Sequence, residues 1–265
     1  MIRVVLAGPR GKMGREAIRM FAETKEFELV GAIDRLNDGA LLPEIVREAG
    51  PVNCRVYTNP EQCFLETVPD CFIDLSIASA AAGHARSALS RGIRTVIGTT
   101  GLSSAELEDL RELANHNKVG CIVAPNFAIG AVLMMKFARM AAKYFPDVEI
   151  IEMHHDQKRD APSGTALKTA EMIIQVRGRR PQVPAEEKES LPGVRGGDFD
   201  GVRIHSVRLP GLVAHQEILF GGPGEGLRIR HDSYNRTSFM NGLKLAIKAV
   251  MHLDGFVYGM ENLID

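Results

Sequence analysis

The sequence predicts an α/β protein in which a parallel sheet with flanking helices is joined to a smaller α+β domain with a mixed sheet. Up to about Phe127, short apolar runs rich in β-branched residues alternate with helical patterns, which is the rhythm of βαβ units. Beyond Phe127 this alternation breaks, and several strand-like segments follow, with a glycine-rich turn between the last two. We therefore place a domain boundary near Phe127.

The composition argues against several classes of protein. The 265 residues carry a formal net charge of −1, which gives no reason to expect a nucleic-acid or membrane partner. No apolar run approaches the roughly 20 residues that span a bilayer. The four cysteines form no C-x-x-C pair, so we expect reduced thiols, no metal site and a cytoplasmic location.

The first predicted strand is followed by a glycine-rich turn of the kind that binds dinucleotides. The apolar run Ile2–Ala7 leads into this turn, a helical pattern follows it, and a second strand, Phe27–Ile33, ends next to an acidic residue. Glycine lets the backbone approach a pyrophosphate, and the helix N-terminus supplies an anion site. The G-x-x-G-x-x-G spacing leaves a purely structural turn as an alternative, but the strand context favours a Rossmann-type nucleotide domain. The turn comprises Gly8, Pro9, Arg10, Gly11, Lys12, Met13 and Gly14.

Two residues after the second strand bear on the choice of cofactor. Asp34 is placed to accept hydrogen bonds from an adenosine ribose, which favours NAD. Arg35, with Lys12 or Arg10 near it, is able to neutralise the 2′-phosphate of NADP, although Arg35 is equally well explained as a solvated loop charge. Because the sequence argues both ways, we predict that NADH and NADPH are both used.

Two later strands end in loops that are candidate walls for the nicotinamide half of the cofactor. In a parallel sheet, ligands bind beyond the carboxyl ends of the strands. The strands predicted over 94–98 and 121–124 end in such loops, although their local sequences also fit ordinary loops. The candidate wall residues are Gly98, Thr99, Thr100, Ala124, Pro125, Asn126 and Phe127.

Several other segments carry structural predictions. A helix is expected to begin at Ser103, because Ser103 and Glu106 match a capping box. In the preceding helix, His84 is interpreted as a surface residue. The stretch 177–200 is rich in Pro, Gly and charge and is expected to be a long loop, and 233–253 is expected to be the final helix. The apolar helix predicted over 129–145 is expected to pack into the core through Leu133, Phe137, Met140, Ala141 and Tyr144.

The segment 152–167 carries the largest number of reactive groups and predicts a strand, a basic loop and a helix N-terminus. Ser163 is a natural N-cap for that helix. The N–H groups of Gly164 and Thr165, together with the hydroxyls of Ser163 and Thr165, are able to hold a carboxylate. Lys158 adds a positive charge with three donors. The alternative is a surface junction with solvated basic residues, which this combination of groups disfavours.

Two adjacent histidines precede the basic loop. On an extended backbone His154 and His155 point to opposite faces, unless the strand ends between them. The unperturbed pKa of histidine lies near neutrality, so this side chain suits proton transfer. The segment therefore predicts an anion site with a proton donor beside it.

Four motifs, GxxGxMG, GTTG, APNF and HHxxKxDAPSGTA, occur in this order along the whole chain. Together they resemble those of the dihydrodipicolinate reductase family. The resemblance implies that hydride from NADH or NADPH reduces a cyclic, unsaturated dicarboxylate imine to tetrahydrodipicolinate in lysine and diaminopimelate biosynthesis. It also implies a dinucleotide-binding domain of residues 1–127 and 239–265, and a domain of residues 128–238 that binds substrate and forms a homotetramer.

The same resemblance assigns roles to individual residues. His154 matches the acid/base histidine of the family, Lys158 its proton donor and His155 a substrate-binding histidine. The carboxylate-binding turn is matched by Ser163, Gly164 and Thr165. The cofactor contacts are matched by Gly8 to Met13, Asp34, Arg35, Gly98 to Thr100 and Ala124 to Phe127.

Two other hypotheses fit the same architecture. A different amino-acid or aldehyde dehydrogenase would share the nucleotide domain but would turn over other substrates. A non-catalytic NAD-sensing protein would keep the glycine turn, but it would not need His154, Lys158 and a helix-start anion site together.

Overall fold

The computed structural model describes residues 1–179 and 188–264. The chain divides into two compact units: Met1–Phe127 with Phe239–Asp265, and Ala128–Ser238. In chain order, the helices and strands are β1 (Ile2–Ala7), α1 (Lys12–Glu23), β2 (Phe27–Ile33), α2 (Leu42–Ile45), β3 (Arg55–Tyr57), α3 (Pro60–Thr67), β4 (Cys71–Asp74), α4 (Ala78–Ser90), β5 (Arg94–Ile97), α5 (Ser104–Asn117), β6 (Cys121–Val123), α6 (Ile129–Ala141), β7 (Asp147–His154), α7 (Gly164–Arg177), β8 (Gly197–Phe199), β9 (Val202–Arg208), β10 (Ala214–Gly222), β11 (Glu225–Ser233), α8 (Met240–Val250) and β12 (Phe256–Tyr258).

The first unit is built on a parallel sheet with the strand order β12-β6-β5-β4-β1-β2-β3. The central strand β1 is fully buried from Val4 to Ala7, as expected for a parallel strand that is covered on both faces. The chain leaves β1 for β2 on one side, and β4 lies on the other side of β1. This change of direction opens a crevice beyond the carboxyl ends of β1 and β4, where such sheets bind ligands.

The second unit has a mixed sheet with the strand order β11-β10-β7-β9-β8. Strands β7 and β9 are parallel, whereas the other neighbouring pairs are antiparallel. Alternate residues of the central strand, Val148, Ile150 and Glu152, are buried. The predicted fold class, a Rossmann-type parallel sheet with a second, mixed sheet, is therefore confirmed.

Two predicted element bounds in the second half of the chain are wrong. The stretch 177–200, predicted as loop, contains β8 within its described residues. The final helix does not begin at Ser233, which ends β11, but at Met240. The Asn235 side chain accepts a hydrogen bond from the N–H of Thr237 at 2.9 Å, which favours a turn here and delays the helix.

Of the apolar stripe predicted for α6, Ala141 is buried, but the larger residues do not lie on the face that the helix buries. Phe137, Met140 and Tyr144 are 47%, 59% and 78% exposed. The buried face instead carries Ala131, Val132, Met134, Met135, Ala138 and Ala141. Three of these six are alanines, and their small side chains let α6 lie close to α7 and β11.

The described residues contain neither a membrane-spanning helix nor a cluster of metal-binding side chains. Among the described residues, no helix is long and apolar enough to cross a membrane. Across the same part of the chain, no group of three or more His, Cys, Asp or Glu side chains could hold a metal ion.

The predicted capping box at the start of α5 is confirmed. The N–H of Glu106 donates to the Ser103 hydroxyl at 3.2 Å, and the N–H of Ser103 donates to the Glu106 carboxylate at 2.7 Å. The hydrogen bonds from the Ser103 backbone and hydroxyl lower the pKa of Glu106. This cap fixes the helix that directly follows the Gly98–Gly101 loop.

Replacement of Ser103 by alanine should lower the free energy of unfolding by about 1 kcal/mol, because an N–H at the helix start loses its partner. Thermal or denaturant unfolding measures the change. Ser104→Ala is the matched control, since Ser104 lies one position inside the helix and should change stability by less than about 0.5 kcal/mol. Equal effects of the two substitutions would contradict the cap.

Candidate active site and nucleotide site

The turn between β1 and α1 requires glycine at two positions. Gly8 has φ +82°, and a Cβ atom there would lie 2.5 Å from the carbonyl oxygen of Leu75. A Cβ atom on Gly14 would lie 2.1 Å from the carbonyl oxygen of Gly8. Gly11 occupies the N-cap of α1 and has no side chain to bond the first N–H groups of the helix. The turn therefore presents backbone donors at close range, as a pyrophosphate requires.

Among the residues predicted to contact the adenosine half of a cofactor, Arg10 and Asp34 form an ion pair. The Arg10 guanidinium donates to both oxygens of the Asp34 carboxylate at 2.8 Å, and Asp34 Oδ1 also accepts from the N–H of Leu36 at 2.9 Å. The Asp34 carboxylate raises the pKa of Arg10 through hydrogen bonding and charge. Arg35 and Lys12 are exposed. Of the three cations named from the sequence, Arg10 is thus the one paired with Asp34.

The loops after β4 and β5 line a cavity of ≈ 360 Å³ in the first unit, which is open to solvent on one side. Its lining combines four predicted residues with four that the sequence did not single out. The predicted members are Met13, Gly98, Thr99 and Thr100, and the others are Leu75, Ser76, Ile77 and Ala78.

The loop from Ala124 to Phe127 takes a supporting position beside this cavity. Phe127 is buried, and its ring is so close to Gly98 that a Cβ atom on Gly98 would lie 2.5 Å from Phe127 Cε2. Ala124 is also buried, Asn126 is half-buried and Pro125 is exposed. Within the described residues, the lining of the cavity includes none of these four. Their role as cofactor contacts stays a prediction.

In the second unit, the strand ends between the two adjacent histidines. Strand β7 stops at His154, so the opposite-face geometry of a continuous strand does not apply to His155. Nδ1 of His154 lies 2.6 Å from Glu152 Oε2. Because an ionised carboxylate only accepts hydrogen bonds, Nδ1 carries the proton of this bond and Nε2 is left for a ligand.

Glu152 is a fully buried carboxylate that the sequence analysis did not identify as part of the site. Besides His154, it accepts two hydrogen bonds from the Arg208 guanidinium, at 2.7 and 2.9 Å, and one from the N–H of Ser163 at 3.1 Å. Burial raises the pKa of Glu152, but the hydrogen bonds from His154 and Arg208 outweigh this effect and lower it to about 2. Glu152 is thus held as an anion and ties together the histidine, the arginine and the helix cap.

The start of α7 agrees with its predicted cap. Ser163 is the N-cap residue, and its hydroxyl accepts from the N–H of Ala166 at 3.2 Å. Gly164 and Thr165 are the first two residues of the helix, so their N–H groups point out of its positive end. Ser163 is buried, and its hydroxyl oxygen accepts the hydrogen bond of the cap. The hydroxyl proton is the part of this side chain that is able to donate to a ligand.

Lys158 is paired with a neighbouring acid. Its ammonium group lies 2.8 Å from both carboxylate oxygens of Asp160, and this bond lowers the pKa of Asp160. Asp160 is 63% exposed at its side chain, whereas Lys158 is 21% exposed. The backbone carbonyl of Asp160 also accepts from Arg208 at 2.8 Å, which joins the basic loop to the Glu152 cluster.

Models of one protein family match almost all of the chain. The model described as "Dihydrodipicolinate reductase, N-terminus" matches residues 2–127, and "Dihydrodipicolinate reductase, C-terminus" matches residues 130–264. The chain belongs to the dihydrodipicolinate reductase family. The resemblance inferred from its motifs is thereby confirmed.

Curated relatives agree with this family along their full length. The 4-hydroxy-tetrahydrodipicolinate reductases of Bacillus pumilus and Bacillus subtilis are both 55% identical to this chain, covering 100% of it and 98% of each relative. That of Geobacillus thermodenitrificans is 57% identical and is covered to 99% of its length. Enzymes of this family are NAD(P)H-dependent oxidoreductases of lysine and diaminopimelate biosynthesis, so the predicted enzyme class, reaction and cofactors are confirmed.

Solved structures support the same fold. The dipicolinate-bound dihydrodipicolinate reductase from Paenisporosarcina sp. TG-14 is 53% identical, with a TM-score of 0.91 and complete coverage of both chains. An amine dehydrogenase from Mycobacterium smegmatis is similar at 16% identity and a TM-score of 0.68, covering 97% of this chain and 94% of that one. The second similarity concerns the fold alone. Of the three hypotheses from the sequence, family membership favours the reductase.

Replacement of Glu152 by glutamine should make stability less dependent on pH under acid conditions. Because the pKa of Glu152 is lowered in the folded state, its charge contributes fully above its ordinary value of 4.5, and the contribution is lost as the pH falls towards 2. We expect a loss of about 3 kcal/mol at pH 7, which shrinks below pH 4.5.

Denaturant unfolding between pH 2 and 7 measures this change. Glu171→Gln on α7 is the matched control, because the Glu171 side chain is 50% exposed and its pair with Lys168 is long, at 3.8 Å. A parallel shift of the Glu152→Gln curve at every pH would show that the charge of Glu152 does not contribute.

Proposed function

We propose that His154 and Lys158 are the proton-transfer groups of this reductase, and that His155, Ser163, Gly164 and Thr165 bind its dicarboxylate substrate. The observation that carries this proposal is the bond from His154 Nδ1 to the buried Glu152, which fixes the tautomer and orientation of the imidazole. A histidine held in this way presents Nε2 to a ligand in a defined direction.

The residues of the first unit fit a nicotinamide dinucleotide. The glycine turn leaves no room for a side chain between β1 and the start of α1, where the N–H groups at the helix start would hold the pyrophosphate. Asp34 and Arg10 would hold the adenosine ribose, and the ≈ 360 Å³ cavity would hold the nicotinamide end. When bound, NADH or NADPH supplies a hydride and is left with a positively charged ring.

The second unit carries the residues proposed to protonate the substrate nitrogen. Hydride addition to a conjugated imine places electron density on the nitrogen, which must be met by a proton. Lys158 carries protons on a flexible stem, and His154 is able to relay one through Nε2 while Glu152 stabilises the resulting imidazolium. The Glu152 carboxylate remains ionised throughout, because its pKa is lowered to about 2.

The two carboxylates of the substrate would bind two different kinds of positive group. One carboxylate fits the N-terminus of α7, where the N–H groups of Gly164 and Thr165 converge. The other fits Lys158, which would exchange Asp160 for the substrate. Because Asp160 is mostly exposed, its pair with Lys158 stabilises the loop by no more than about 1 kcal/mol and is easily replaced. The reductase from Paenisporosarcina, which binds the planar dicarboxylate dipicolinate, supports a substrate of this shape.

The roles of the two units, the assembly and the cellular location are proposed by analogy with the family. We infer that residues 1–127 and 239–265 bind the dinucleotide, while 128–238 bind substrate and join four copies into a homotetramer. We also infer that the enzyme works in the cytoplasm, where lysine and diaminopimelate precursors are made. Size measurement by light scattering tests the tetramer.

Substitution of either proton-transfer residue should abolish most turnover without unfolding the protein. We expect His154→Ala and Lys158→Ala to lower kcat by about 10²- to 10⁴-fold. The assay follows NADH oxidation with substrate generated in the cuvette from pyruvate, aspartate semialdehyde and the preceding synthase. Gln157→Ala is the control in the same loop, because Gln157 is exposed and bonds the neighbouring Asp156. Near-normal turnover of one variant would remove that residue from its role.

Arg10 should decide how well NADPH competes with NADH. Without Arg10, Asp34 would face the 2′-phosphate with its charge unpaired, so we expect Arg10→Met to raise KM for NADPH by about 10- to 100-fold. KM for NADH should change by less than about threefold, because the ribose hydroxyls bond Asp34 itself. Arg19→Met is the control, since Arg19 lies on α1 and pairs with Glu16 and Glu48. An equal rise for both cofactors would contradict the assignment.

A further inference from the structure

A second fully buried carboxylate, Asp74, ends strand β4 in the middle of the parallel sheet. Its Oδ1 accepts from the backbone N–H of Ser76 at 3.0 Å, the hydroxyl of Ser76 at 2.7 Å and the hydroxyl of Thr99 at 2.6 Å. Its Oδ2 lies 2.8 Å from Nδ1 of His84. Each of these groups is able to donate, which is the environment of an ionised carboxylate.

His84 is not the surface residue that the sequence suggested. Its side chain is 19% exposed, and its ring packs edge-on against Phe72 with centroids 6.2 Å apart and an interplanar angle of 88°. Because Asp74 accepts, Nδ1 of His84 donates the hydrogen bond. This bond and the contact with Phe72 together fix the orientation of the ring. Helix α4 is thereby tied to the end of β4.

Two of the groups bound to Asp74 are walls of the ≈ 360 Å³ cavity. Ser76 lines it from the loop after β4, and Thr99 lines it from the loop after β5. Both hydroxyls donate to the same oxygen of Asp74, so one carboxylate sets the spacing of two walls. The described structure thus places a buried negative charge one hydrogen bond behind the cavity surface.

We propose that Asp74 and His84 are positioning residues for the nicotinamide end of the cofactor, and that the charge of Asp74 makes this cavity favour the oxidised cofactor over the reduced one. The inference rests on the proposed assignment of the cavity to nicotinamide. It adds the residues that shape the cavity and the redox form that it prefers.

The physical reason is a difference in charge between the two forms. Oxidised nicotinamide is a cation, whereas reduced nicotinamide is neutral, so a nearby buried anion stabilises the first more than the second. Such an attraction is strong because little water screens a charge in the protein interior. The same attraction favours hydride departure, since it acts on the positive charge that develops during transfer. Hydrogen bonds from Ser76, Thr99 and His84 hold the anion without removing its charge.

The test measures binding of NAD⁺ and NADH to the whole protein without substrate, by calorimetry. Asp74→Asn keeps an oxygen for Ser76 and Thr99 but removes the charge, and His84 is able to accept from the new amide. We expect this variant to weaken NAD⁺ binding about tenfold more than NADH binding. An unchanged ratio of the two dissociation constants would overturn the electrostatic part of the proposal.

His84 variants test the positioning part and do not depend on the fold of the Asp74 variant. His84→Leu should raise the dissociation constants of both forms by about tenfold, because the carboxylate loses a donor and shifts the two walls. His84→Asn should restore binding, since its amide nitrogen takes the place of Nδ1. Tight binding by His84→Leu, or failure of His84→Asn to restore it, would overturn this part. Arg86→Ala, on the same helix and exposed, is the control and should leave both constants unchanged.

These measurements separate the inference from the proposed function. Binding is measured without the imine, so it does not depend on turnover. If the protein does not reduce the imine but Asp74→Asn changes the ratio of the NAD⁺ and NADH dissociation constants as expected, the role of Asp74 stands. If the protein reduces the imine but this ratio does not change, the reductase assignment stands and the role of Asp74 is wrong.

Discussion

The buried negative charge of Glu152 is the constraint on which the second unit's site depends. An ionised carboxylate away from water is stable only when nearly all of its lone pairs are bonded. Its donors come from three separate parts of the unit: His154 at the end of the same strand, Arg208 on β9, and the N–H of Ser163 at the start of α7. Satisfying this one group therefore fixes the histidine, the arginine and the start of α7 together.

The first unit uses the same device at the end of a different strand. Asp74 is fully buried at the end of β4, as Glu152 is near the end of β7, and each is bonded to a histidine at one oxygen. In each case the loop that leaves the strand, or the helix that follows it, donates to the carboxylate through its backbone. A buried acid at a strand end thus orients the groups beyond that end, where α/β sheets bind their ligands.

Local signals made much of the fold predictable. The bounds of β1 and β2, the capping box of α5 and the cap of α7 depend on neighbours within a few residues, and they match the structure. Other partners of the two buried acids are distant in sequence, and local signals do not predict them. Arg208 is 56 residues from Glu152, and Thr99 is 25 residues from Asp74. The buried face of α6 also depends on the elements packed against it, which helical periodicity alone does not specify.

The basic loop of the second unit is arranged differently from the buried acids. Lys158 is paired with Asp160, whose side chain is 63% exposed. An ion pair open to water contributes little stability, so the substrate carboxylate proposed to bind Lys158 would replace Asp160 at small cost. Glu152 and Asp74, which are fully buried, therefore hold their donors in fixed positions, whereas the Lys158–Asp160 pair is able to exchange partners.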